Sequence, residues 1–302
     1  MRSMKRIGLL ALLVVAQACV DRDPFDPTQS ADTSLTPQAS VAGGEWAVGP
    51  FTAYAQSWVY TLRPAATHVC VLTNVQGKFA GGGEYVRVQI SGSNWVMRGG
   101  SKQSGVGGEA HCFAKSAFLA NGTARWISPE FIAVDSKSSC AGNSVHAWWG
   151  DAATMLSGTS GEYEGGGERS KVVQSPGAFT PSAVAAESCQ GWHETRAYSF
   201  FAGQPHVGQL ARFYGGEYSA TLVASDVNTS LREVRMAPVG EAMCYLTYVG
   251  GDFGGGAERV RIYQKTSNGI PYWYLQVTAG KLSGGDRRYM RGMSRCYKRD
   301  QR

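Results

Sequence analysis

The sequence predicts an all-β protein made of three tandem, disulfide-closed units, and three observations carry that prediction. Glycine is abundant, at 39 of 302 residues, while charged residues make up 17% and aromatic residues 11%. Short alternating runs of β-branched and aromatic residues, bounded by glycine, are the pattern of strands and tight turns, and no stretch keeps a helical period beyond about three turns. A twelve-residue motif also returns three times, which predicts repeated structural units.

The motif opens at Gly77, Gly161 and Gly251, so its copies stand 84 and then 90 residues apart. Each copy reads glycine, any residue, an aromatic (Phe79, Tyr163, Phe253), a glycine cluster, a glutamate (Glu84, Glu168, Glu258) and a basic residue three places on (Arg87, Lys171, Arg261). The glycines let the backbone take positive φ and bulge before the next strand. The glutamates are expected to brace these turns. A calcium site is the alternative, but calcium takes several clustered oxygens and one carboxylate recurs per copy. Neither Lys-Ser nor Lys-Thr follows the glycines, and the next element reads as a strand, so a phosphate loop is excluded.

In the first unit, residues 45–121, strands are expected at 45–48, 57–63, 68–75, 85–91, 94–98 and 108–115. Residues 68–75 are apolar on both faces, as suits a strand covered on two sides. In 85–91, Val86, Val88 and Ile90 alternate with Tyr85, Arg87 and Gln89, the mark of a half-buried strand. The third unit, residues 201–302, repeats this: Cys244 to Val249 matches Cys70 to Val75, residues 259–263 repeat the half-buried strand, and a turn at 266–269 leads to Tyr272-Trp273-Tyr274. An extra hairpin is expected there, 211–214 with 217–224 across Gly215-Gly216. The middle unit, residues 122–200, diverges, with Thr154 to Ser157 in place of Cys70 to Thr73 and with Pro176 and Pro181 interrupting its second half. The units fit a sandwich-like arrangement or an approximate threefold one, and the sequence does not choose between them.

Residues 1–18 carry Arg2, Lys5 and Arg6, then the apolar run Ile7 to Ala16, closing on Ala16-Gln17-Ala18. That is the order of a secretory signal, with an apolar part too short to span a bilayer as a helix. With Cys19 directly behind it, the segment resembles the signal of bacterial lipoproteins. The resemblance covers only this segment, and it implies export, a lipid on Cys19 and anchoring to the bacterial membrane or cell surface. Ordinary cleavage after Ala18, leaving Cys19 free, is the alternative. Residues 19–44, rich in Asp, Pro, Ser and Thr, are expected to form a flexible tether.

The chain has seven cysteines. Giving Cys19 to the lipid leaves six, and in an exported protein disulfides are their default state. Cys70 and Cys244 each stand seven residues before their motif glycine, and their units close on Cys112 and Cys296. The repeat therefore predicts one bridge per unit: Cys70–Cys112, Cys140–Cys189 and Cys244–Cys296.

Formal charge is +6, and residues 281–302 hold eight basic residues against Asp286 and Asp300, so the excess sits in the tail. A basic tail on an exported protein suits contact with an anionic envelope component, and a solvated strand edge guarded by charge explains it as well. No nucleic-acid reading motif accompanies it, and no nucleic-acid partner is expected. The five histidines (His68, His111, His146, His193, His206) lack metal-ligand spacing, and no Gly-x-Ser-x-Gly elbow occurs. No cofactor or metal is expected.

The aromatic residues Trp95, Trp148, Trp149, Tyr272, Trp273 and Tyr274 are the ligand-binding candidates, because aromatic faces on β scaffolds stack on sugars or anchor partners. Packing in the core is the competing use of the same rings. The expected function is non-catalytic binding or adhesion to a glycan or envelope component. The alternatives are an exported hydrolase with a non-sequential active site and a purely structural envelope protein.

Overall fold

The computed structural model describes residues 46–81, 83–102, 105–118, 125–135, 142–149, 152–163, 168–173, 181–187, 192–202, 213–223, 231–254, 258–279 and 289–299. The signal segment, Cys19 and the tether lie outside the described residues. In the first third of the chain the strands are β1 (Ala47–Ala55), β2 (Ser57–Pro64), β3 (His68–Gly77), β4 (Tyr85–Ser91), β5 (Asn94–Gly100) and β6 (Val106–Ala114). A 3-10 turn follows at Lys115–Ala117. The middle third has β7 (Arg125–Ile127), β8 (Phe131–Asp135), β9 (Asn143–Trp149), β10 (Ala153–Gly161), β11 (Arg169–Val173), β12 (Pro181–Glu187) and β13 (His193–Ala202). The last third has β14 (Tyr218–Val223), β15 (Leu231–Pro238), β16 (Ala242–Gly251), β17 (Arg259–Ser267), β18 (Ile270–Thr278) and β19 (Tyr289–Lys298).

These strands form three antiparallel sheets, and none is confined to one third of the chain. The first runs β1-β6-β3-β17-β18-β15, the second β2-β5-β4-β10-β13-β7 with β8 also on β13, and the third β14-β19-β16-β11-β12-β9. The strand after each glycine cluster pairs with the strand before another cluster: β4 with β10, β11 with β16, and β17 with β3. Each cluster therefore passes the chain from one sheet to the next, and the pairing closes on itself.

The motif makes this closure possible. Gly77 N–H donates to the Glu258 carbonyl (3.3 Å), Gly161 to Glu84 (3.0 Å) and Gly251 to Glu168 (3.2 Å). A second ring lies beside it: Phe79 N–H donates to the Phe253 carbonyl (3.0 Å), Tyr163 to Phe79 (2.7 Å) and Phe253 to Tyr163 (2.8 Å). The rings of Phe79, Tyr163 and Phe253 then meet edge to face, with centroids 5.3 to 5.6 Å apart and all three fully buried. Such tilted contacts put the positive ring edge on the negative face of its neighbour. Gly161 and Gly251 sit at φ +118° and +123°, and a Cβ at either would run into the backbone carbonyl of the adjoining strand.

Burial follows the sequence pattern. In β3 every residue after His68 is buried, whereas β4 alternates buried Val86 and Val88 with partly exposed Tyr85 and Arg87. The turn between β17 and β18 has Asn268 at φ 51° and Gly269 at φ 77°, the two positive values a tight two-residue hairpin needs. Two bridges form across facing residues, Cys70–Cys112 between β3 and β6 and Cys244–Cys296 between β16 and β19. Non-reducing peptide mapping is expected to recover both cross-links, and a Cys70 or Cys244 peptide joined to any other cysteine would contradict this register. The expected Cys140–Cys189 bridge lies outside the described residues.

Two expectations are corrected. The extra hairpin does not form as read: β14 pairs with β19, and Phe213 bridges Tyr297 instead of meeting the strand across Gly215-Gly216. Nor is the described part of the basic stretch a strand edge, since β19 lies between β14 and β16. Lys281, Arg287, Arg288 and Arg302 lie outside the described residues. Of the rest, Arg291 stacks over Tyr248 (5.3 Å), Arg299 over Trp46 (5.0 Å), and Arg295 lies over Phe213 (5.6 Å) and near Glu217 (3.8 Å). Rings on the neighbouring strands supply partners that charge counting along the chain does not reveal.

Candidate functional site

The outward face of the first sheet holds the candidate site. Alternation sends Trp273 inward and Tyr272 and Tyr274 outward, and across the hairpin Tyr263 faces Tyr274 and Lys265 faces Tyr272. The Tyr263 and Tyr274 centroids are 5.9 Å apart. Cations line these rings: Arg261 lies 4.8 Å from the Tyr263 centroid, Lys265 5.3 Å from Tyr274, and Arg235 of β15 5.0 Å from Tyr272.

Glu233 of β15 holds the group together. Its carboxylate accepts from the Tyr263 hydroxyl, from Lys265 Nζ (2.9 Å) and from Gln276 Nε2 (2.9 Å). Burial pushes the Glu233 carboxyl up, but the three donors outweigh it and hold the group below the usual carboxylate range. Burial, reinforced by the Glu233 carboxylate, raises the Tyr263 hydroxyl, so that ring stays a neutral donor. Further along the face, Asn74 Nδ2 donates to Gln76 Oε1 (3.0 Å), and Arg261 pairs with Glu109 at 3.4 Å. Burial raises the Glu109 carboxyl, against the pull of Arg261 and Arg259. Half-exposed tyrosine rings beside amide, guanidinium and carboxylate groups provide both stacking surface and hydroxyl partners, the two contacts a saccharide uses.

The other aromatic candidates divide. Trp95 and Trp273 are fully buried, and each indole N–H donates to the backbone at the start of a disulfide-bearing strand, Trp95 to His68 (2.9 Å) and Trp273 to Ala242 (2.9 Å). Their reading as ligand contacts is corrected: the inward half of the alternation made them core pillars. The backbones of Trp148 and Trp149 end β9, while their side chains lie outside the described residues.

The Glu84 carboxylate accepts from Lys102 N–H (3.2 Å) and Ser101 Oγ (3.5 Å), so it ties its turn to the segment between β5 and β6 rather than bracing the turn from within. Glu168 and Glu258 are likewise buried. Among the described residues no group of three His, Cys, Asp or Glu side chains is placed to hold a metal ion.

One buried polar layer was missed in the sequence. Under the Tyr163 hydroxyl, Ser170 Oγ meets Thr159 Oγ1 (2.7 Å), Tyr163 Oη (3.0 Å), Thr195 Oγ1 (2.8 Å) and His193 Nε2 (2.9 Å). Asp135 sits directly across β8–β13 from His193. Counting from the motif, the same positions around Phe79 are Val75, Val86, Val106 and Gly108, and around Phe253 they are Val249, Val260, Met290 and Gly292. One concerted exchange, from apolar to hydroxyl and imidazole, therefore accompanies Tyr in place of Phe, and comparing the three motif copies position by position is the signal that finds it. Ser170 and His193 form a serine–imidazole pair, yet both have zero exposure and Ser170 Oγ already has four neighbours. The layer's chemistry is mutual satisfaction of its buried hydroxyls and of His193 Nε2, while His193 Nδ1 has no hydrogen-bond partner among the described residues. Burial lowers the His193 imidazole to about 3 although the Asp135 carboxylate pulls it up. Burial also lowers His111, bonded through Nδ1 to Thr73 Oγ1 (3.0 Å), to about 3, with Arg261 adding to the shift.

No protein-family profile matches this chain, and no characterised protein matches it in sequence.

Proposed function

We propose that this chain is a non-catalytic, exported lipoprotein, anchored through Cys19, whose three tandem β units stand around an approximate threefold axis. Its role is binding or adhesion to a glycan of the cell envelope or surface. The observation that carries the binding reading is the row of Tyr263, Tyr274 and Tyr272 on the outer face of the first sheet, flanked by Arg261, Lys265 and Arg235, with Tyr263 and Lys265 bonded to Glu233. Rings held on strands lose little freedom when a ligand stacks on them. The cyclic contacts among Phe79, Tyr163 and Phe253 support the threefold reading.

The test is a glycan array with the soluble chain from residue 44 onward, at low and physiological salt. Binding that persists at physiological salt and falls by roughly tenfold in Tyr274→Ala or Tyr272→Ala is the expected result. Silence at both salt concentrations overturns the glycan reading. Trp273→Ala is unsuitable as the probe, because it opens the core. Mass spectrometry of the mature N-terminus is expected to find diacylglyceryl on Cys19, and an unmodified Cys19 would remove the anchor.

A further inference from the structure

The three sheets carry equivalent outward rows, and in one of them the basic residue has no ion-pair partner among the described residues. The basic residue three places after the motif glutamate sits in each row. In the first sheet, Arg261 lies between Gln276 and Asn74 and pairs with Glu109 (3.4 Å). In the third sheet, Lys171 pairs with Glu187. In the second sheet, the residue facing Arg87 across β4–β5 is Arg98, and the residue on its other side is Gly158 of β10.

Among the described residues neither Arg87 nor Arg98 makes an ion pair, and the shielded Nε of each has no hydrogen-bond partner. The nearby carboxylates Glu130 and Glu194 are committed to Arg196. Arg87 stacks over the Tyr85 ring at 4.8 Å, and that ring lies on Gly100, where an added Cβ would collide with it. Gly158 likewise leaves the Arg87 stem against bare backbone. Burial, then the Arg196 charge, lowers the Arg87 guanidinium, with Arg98 adding to the effect, while Tyr85 and the Glu130 carboxylate pull the other way without pairing with it. Two arginines therefore face each other across β4–β5, one of them held on a ring, with Gly158 on one side of the pair and the exposed Val59 on the other.

We propose that Arg87 and Arg98 form an oxyanion-recognition site on the second sheet, which takes the carboxylate of an acidic polysaccharide. The ligand class rests on the glycan-binding reading above, while the site itself rests on the facing arginine pair. The planar guanidinium fork matches a planar carboxylate through two parallel N–H bonds, which a lysine cannot do. A polymer with one carboxylate per sugar would also use the Tyr85 ring as a stacking surface next to the charge.

The test is retention and calorimetric titration of the soluble chain with polygalacturonate, with a neutral dextran and with phosphatidylglycerol vesicles. Polygalacturonate is expected to bind, to weaken with added salt, and to lose tenfold or more affinity in Arg98→Gln and Arg87→Gln. Arg98→Lys, which keeps the charge and removes the fork, should recover less than half of that loss. Thermal unfolding should be unchanged in all three variants, since these side chains lie on the outer face. Polygalacturonate binding insensitive to both glutamine variants but lost in Tyr274→Ala would overturn this site and keep the glycan reading. Binding only to vesicles, or to none of the three, would overturn the acidic-polysaccharide assignment.

Discussion

Phe253→Ala is expected to lower the unfolding free energy by about 3–5 kcal/mol, the range for emptying a buried aromatic site that cannot collapse. Collapse is blocked here because Phe253 touches Phe79 and Tyr163 edge to face while its own N–H and carbonyl are held in the ring of backbone bonds joining all three motif copies. The side chain is withdrawn and the backbone cannot follow it. The loss should also be cooperative, since the three sheets meet at this point and each shares strands with two thirds of the chain. Urea denaturation followed by tryptophan fluorescence reads the shift, with Trp95 and Trp273 as buried reporters. Tyr274→Ala, on the outer face, serves as the control and should cost less than about 1 kcal/mol. Equal losses in the two variants would mean that the aromatic triangle does not hold the sheets together.

Acidification is expected to destabilise the protein through His111 and His193. Both imidazoles are fully buried and neutral in the folded chain, with pKa values lowered to about 3 against 6.5 when unfolded. Between pH 6.5 and 3 the unfolded chain binds protons that the folded chain refuses, so stability is complete above 6.5 and falls as pH drops through that window. Each histidine contributes about 1.4 kcal/mol per pH unit, so the pair removes about 4 kcal/mol by pH 5. Glu109 and Glu130 act oppositely, because burial raises their carboxyls and the folded chain then takes up their protons first. The decisive reading is therefore the difference between variants. The slope of unfolding free energy against pH from 6.5 to 5 should fall by about 1.4 kcal/mol per unit in His111→Met. An unchanged slope would show that His111 is protonated without cost in the folded state.

The sequence by itself determined the strand class, the extent of β4, the central parts of β3, β16 and β17, and two of the disulfides. It could do so because these depend on local rules: alternation places residues on faces, glycine marks turns, and equivalent cysteines stand at equal distances from a repeated glycine. It also separated Trp273 from Tyr272 and Tyr274, since neighbouring strand residues must point to opposite sides. Which side was the core could not be read there, and Trp273, the largest ring of the three, faces inward. Only the tertiary structure decided that the strand after each glycine cluster joins another third of the chain, because pairing between distant segments leaves no local trace. The same holds for the facing Arg87 and Arg98, which make no ion pair among the described residues. Two arginines eleven residues apart on a hairpin become neighbours only through register, and whether they are neutralised depends on what β10 and β13 bring alongside. Side-chain periodicity is written along one strand, whereas charge balance on a sheet is set across strands, and that second direction belongs to the fold.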